Sequence, residues 1–135
     1  MVKLIIGVKG TGKTKALISM VNEAVEKSNG NVVCIEKGVG LRFDIKPTVR
    51  LINTNEYLVF DAEALYGFVA GILASNHDVT DLFIDGALKI ANNDVAGLEA
   101  FVKAVDELTA KLDVNVVMTS SLPVEDASDL VKKYI

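Results

Sequence analysis

Hydrophobic and polar positions follow two patterns that alternate along the chain. Lys3–Ile6 is a short apolar run that stops at Gly7. Val32–Ile35, Leu82–Ile84 and Val114–Met118 are further continuous runs. Continuous rather than alternating apolarity predicts strands covered on both faces. Between them the spacing becomes helical. Lys13–Lys27 places Leu17, Met20, Val21, Ala24 and Val25 on one face, and Ser28-Asn29-Gly30 then breaks the pattern. Asp61 predicts a capped helix over Ala62–Ser75, and Asp94 another over Val95–Lys111. Pro123 fits the first turn of a last helix reaching about Lys133, with Ser121 as its cap. Residues 37–56 carry Gly38, Gly40 and Pro47; the fragments Leu41–Ile45 and Val49–Ile52 are expected as short edge strands. Strands separated by helices imply right-handed crossovers, hence an α/β three-layer sandwich around a mainly parallel sheet.

Length and composition narrow the picture. The chain has 135 residues, half of them hydrophobic, and no repeat or linker, which predicts one domain over residues 1–135. Such a composition excludes disorder as the main state. No apolar run approaches the ~18 residues of a membrane span, so no membrane insertion is expected. Met1–Gly7 is too short for a secretory signal core. The lone Cys34 excludes an internal disulfide and a multi-cysteine zinc site, and a cytoplasmic location is expected. The net charge of -4 gives no basic footprint for nucleic acid. Arg42 and Arg50 are the only arginines, against twelve lysines.

One motif carries chemistry. Gly7-Val8-Lys9-Gly10-Thr11-Gly12-Lys13-Thr14 fits G-x-x-x-x-G-K-[ST] at every fixed position. It lies between a predicted strand and a predicted amphipathic helix, as its mechanism requires. Glycines admit positive φ and close approach of backbone to phosphate. Successive N–H groups then form a nest for anionic oxygens, and the helix N-terminus adds its dipole. Lys13 would reach β- and γ-phosphates, and the Thr14 hydroxyl would ligate Mg²⁺.

On these residues the chain resembles the P-loop nucleoside-triphosphatase superfamily. Asp85, closing Leu82-Phe83-Ile84, looks like that family's second motif, and the resemblance implies that it holds Mg²⁺. In the additional-strand, RecA-like division the fourth major strand lies beside the first, which implies the order 1-4-3-2 for the four apolar runs. Many members carry Glu directly after the Asp; here Gly86 follows. Proteins similar to RecA place a catalytic Glu after the strand that follows the phosphate-loop helix. Glu36 stands in that place, beside the alternative of a solvated strand-end Glu paired with Lys37. Thr119 and Ser120 end the fourth strand, either as a γ-phosphate sensor or as a turn that leads into the last helix. Arg42 and Arg50 are open to two readings, fingers on a neighbouring subunit or guards of an edge strand.

The expected function is that of a Mg²⁺-dependent ATP-binding protein, a weak or partner-activated ATPase. ATP is preferred over GTP because no N-K-x-D motif occurs. A hydrolytically silent nucleotide-binding module is the alternative, favoured by the Asp85-Gly86 pair. A small nucleoside or nucleotide kinase ranks third, because an arginine-rich lid is missing. A homo-oligomer or partner protein is expected to complete the site of what reads as a minimal core.

Overall fold

The computed structural model describes all 135 residues. Five strands form one sheet in the order β1-β5-β4-β2-β3, with every pairing parallel. They are β1 (Val2–Ile6), β2 (Asn31–Glu36), β3 (Arg50–Asn53), β4 (Val79–Asp85) and β5 (Asn115–Ser120). The helices are α1 (Lys13–Lys27), α2 (Ala62–Ser75), α3 (Ala87–Ile90), α4 (Val95–Leu112) and α5 (Asp129–Lys132). The four apolar runs take the expected 1-4-3-2 arrangement, and the short β3 extends it at the β2 edge.

The continuous apolar runs divide by parity. Val33, Ile35, Leu82, Ile84, Val116 and Met118 face a core shared with α2, α4 and α5. Val32, Cys34, Phe83 and Val117 face a second core with Leu17 and Val21 of α1. Each strand therefore needs apolar residues at consecutive positions, because both faces are covered. Helices α2 and α4 start where the sequence places them. Asp61 Oδ1 accepts from Ala64 N at 2.7 Å, and Asp94 Oδ1 accepts from Gly97 N at 3.0 Å. Each such cap contributes about 1 kcal/mol.

Two local expectations need correction. Leu41–Ile45 is not an edge strand. It folds into a turn, with Asp44 N and Ile45 N donating to Leu41 O at 2.9 and 3.2 Å, and Asn22 of α1 holds its end: Nδ2 donates to Asp44 O at 2.9 Å, and Oδ1 accepts from Lys46 N at 3.1 Å. Leu41, Ile45 and Val49 then complete the core around α1. The last helix is broken: a 3-10 turn at Val124–Asp126 precedes α5, whose cap is Ser128, not Ser121. β4 closes at Asp85 as expected, and Gly86 takes φ 72° and starts the short helix α3 at once. No helix is long and apolar enough to cross a membrane.

Two glycines predict opposite responses to alanine. A Cβ at Gly30 would overlap the Asp78 carbonyl oxygen, a backbone atom fixed by Asn31 N. Gly30→Ala should cost about 1–3 kcal/mol or more. At Gly71, on the exposed side of α2, a Cβ meets nothing within 4 Å. Gly71→Ala should stabilise by up to about 1 kcal/mol through helix propensity. Denaturant midpoints of the two variants should move in opposite directions; a shift of the same sign would contradict this packing.

Candidate functional site

In a parallel sheet all strand C-termini lie at one edge, where open α/β sheets bind ligands. Here that edge collects the phosphate-loop motif after β1, Glu36 at the end of β2, Asp85 at the end of β4 and Thr119 in β5. A cleft of about 680 Å³ opens there, between the loop on one side and β4, α3 and β5 on the other.

The loop has the backbone that its glycines permit. Gly10 and Gly12 adopt φ of 87° and 86°, and a Cβ at either would point into open space. Gly7 is needed for a different reason: a Cβ there would lie 2.8 Å from Thr11 Oγ1. That hydroxyl donates to Val8 O at 2.8 Å, and Lys13 Nζ donates to the same carbonyl at 2.9 Å, arching over its own loop. Helix α1 begins at Gly12 with no side-chain cap and no acidic residue in its first turn, unlike α2 and α4 with their Asp caps. Its first N–H groups and its positive dipole end are therefore left to an anion.

Asp85 is held from two sides. Thr14 Oγ1 lies 3.2 Å from Oδ1 and 3.3 Å from Oδ2. Thr119 Oγ1 donates to Oδ1 at 2.8 Å and itself accepts from Gly86 N at 2.8 Å. The hydroxyls and the carboxylate make a set of hard oxygen donors suited to a small divalent cation. Of the pair at the end of β5, Thr119 lines the cleft and Ser120 does not; the Ser120 hydroxyl is buried and unpartnered.

Glu36 lies one strand away, paired in register with Asp85 on one side and Asn53 on the other. It is not a solvated strand-end residue: it is only 5% exposed, and Oε2 accepts from Leu41 N at 3.1 Å. Its side chain does not line the cleft. Burial pushes its carboxyl above the ordinary range and the charge of Asp85 adds to this, while the Leu41 and Gly40 amides pull the other way. Arg42 and Arg50 are also outside the cleft. Arg42 stacks on Phe43 at 4.8 Å, and Arg50 reaches Leu51 O and Tyr57 Oη. Cys34 is buried, and burial pushes its thiol up to about 12, which leaves it a small hydrophobe.

The cleft also contains residues that motif reading missed: Lys15, Lys89, Asn93 and Ser121. For Lys89 a signal existed, a single charge inside the apolar run Ala87-Leu88-Lys89-Ile90-Ala91.

The fold defines a class, a three-layer α/β sandwich around an all-parallel sheet in the order β1-β5-β4-β2-β3. No protein-family model matches the sequence, and no curated protein sequence matches it. Among solved structures, a KaiC-like protein from the hyperthermophilic archaeon Pyrococcus horikoshii OT3 superposes with a TM-score of 0.64 at 15% identity. The match covers 98% of this chain and 66% of that protein, and at such identity the likeness is one of fold.

The Glu36 environment yields a pH prediction. The ordinary glutamate value is 4.5, and the folded protein holds the proton more tightly. That contribution to stability is complete below the ordinary value and is lost as pH rises through the raised one. Glu36→Gln carries no such loss. Its melting temperature relative to wild type should therefore climb as pH rises above the ordinary value of 4.5. A pH-independent difference would contradict the buried carboxylate.

Proposed function

We propose that the cleft binds Mg·ATP and that the protein is a weak ATPase, activated by self-association or by a partner protein. One observation carries the reading: the phosphate loop, Lys13 and the Thr14–Asp85 pair converge on one cleft at the C-terminal edge of the sheet. The loop residues Gly7 to Thr14 would cradle the phosphates, with Lys13 exchanging Val8 O for phosphate oxygens. Thr14 and Asp85 would hold Mg²⁺. No group of three or more His, Cys, Asp or Glu side chains forms a cage here or anywhere in the chain. The ion's remaining ligands would then be phosphate oxygens and water, the usual arrangement for Mg²⁺. When bound, the ion neutralises charge on the phosphates.

For the chain's own residues the tasks divide by position. Thr119 fixes the Asp85 carboxylate, leaving it aimed at Thr14. Glu36 is our nominee to orient the attacking water, on its register beside Asp85. That task requires the carboxylate to leave Leu41 N, so turnover waits on a rearrangement of residues 37–41. The arginines lie outside the cleft, which supports a need for a further cation from a second subunit or partner. A hydrolytically silent binding module is the second reading. It is favoured by the bond between Glu36 and Leu41 N and by Gly86 directly after Asp85.

Binding and turnover separate these readings. Lys13→Ala should lower Mg·ATP affinity at least tenfold, the effect of losing a charge-assisted bond of about 1.5–3 kcal/mol. Equal titration curves for wild type and variant would sink the phosphate-loop assignment. Phosphate release should be negligible at low protein concentration and rise with self-association or an added partner. Glu36→Gln should keep ATP binding and abolish that release. Under the silent reading, both proteins are inactive at every concentration.

A further inference from the structure

Lys89 is an exposed cation on a turn that is otherwise buried. Its neighbours Ala87, Leu88, Ile90 and Ala91 are all between 0% and 7% exposed. The turn is fixed at both ends. Gly86 enters it at φ 72°, and Asn92 and Asn93 leave it with φ of 59° and 60°, a left-handed pair that short amide side chains tolerate. Backbone bonds from Ile90 N to Gly86 O and from Asn93 N to Leu88 O lock it. The Lys89 backbone is thus held in one place, and only its side chain is free.

That side chain lines the cleft. The other cations there, Lys9, Lys13 and Lys15, belong to the phosphate loop and the first turn of α1. Lys89 alone comes from the opposite wall, four residues after Asp85. It has no ion-pair partner: the chain's two salt bridges are Lys27–Glu23 and Lys46–Glu26, both remote from the cleft. An unpaired lysine facing three others repels them unless an anion lies between the walls.

We infer that Lys89 is a specificity-determining residue that reads the terminal phosphoryl group of a nucleoside triphosphate, separating it from the diphosphate within a single chain. This rests on the nucleotide reading above. The loop nest and Lys13 grip the phosphate chain from one side. The terminal group projects toward the Thr14–Asp85 pair and so toward the wall that carries Lys89. A diphosphate fills the nest and leaves that wall uncontacted. Neither arginine lines the cleft, so Lys89 is this chain's own contact to that group from α3, in addition to the cation proposed from a second subunit or partner.

The test is equilibrium binding of Mg·ATP and Mg·ADP to wild type, Lys89→Ala, Lys89→Arg and Lys15→Ala. Lys89→Ala should lose about tenfold in ATP affinity, as for one charge-assisted contact, and change ADP affinity less than about twofold. Retained ADP binding also shows that the variant folds. Lys89→Arg should keep the preference for ATP, and Lys15→Ala should weaken both nucleotides alike through the general field. Equal losses for ATP and ADP in Lys89→Ala, or no loss, would overturn the inference while leaving nucleotide binding intact. Wild type that binds neither nucleotide would remove the nucleotide reading and this assignment with it.

Discussion

The contact between the Thr14 hydroxyl and the Asp85 carboxylate joins two parts of the chain that are 71 positions apart. It exists because α1 and the Asp85 side chain lie on the same face of the sheet. Phe83, two residues earlier on β4, packs under α1 with Cys34 and Val117. A one-residue slip of β4 would turn Asp85 to the opposite face and put Ile84 in the cleft. The two-sided core prevents this slip, since Leu82 and Ile84 are fully buried against α2 and α4. Packing thus determines which oxygens meet at the edge. Thr119 then fixes one carboxylate oxygen and passes the constraint to the Gly86 amide, where α3 begins.

Charge is distributed in keeping with this geometry. A protein of net charge -4 gathers four lysines around a cleft with one carboxylate, Asp85. Repulsion among them disfavours the cleft alone and favours it with an anion inside. The second carboxylate nearby, Glu36, is withdrawn below the surface and held by backbone amides. Its bond to Leu41 N links the end of β2 to the segment carrying Arg42 and Phe43, the latter 86% exposed.

Much of this was legible in the sequence because it is governed by short-range rules. Continuous apolar runs located four strands, and Asp61 and Asp94 marked two helix starts through their own side chains. The phosphate loop is contiguous, so its residues and their order could be read directly. What escaped depended on distant partners. Leu41–Ile45 has an edge-strand composition, yet its amides close a turn on Leu41 O and Asn22 of α1 holds Asp44 O and Lys46 N. The burial of Glu36 follows from the return of the 38–41 loop over its carboxylate. Lys89 carries no motif and reaches the cleft only because α3 is pinned between β5 and α4. The last helix starts later than its composition suggests because Pro123 takes a non-helical ψ of 141° and Ser128 caps α5.

On the reading proposed above, the Thr14–Asp85 edge is a metal–phosphate site. That reading is tested most directly by calorimetric titration of the wild-type protein with ATP, with Mg²⁺ and with chelator in its place. Saturable binding at one site per chain is expected in both conditions, tighter with Mg²⁺, because Thr14 and Asp85 would hold the ion against the phosphates. Affinity that is unchanged by the metal, or no binding at all, would contradict it.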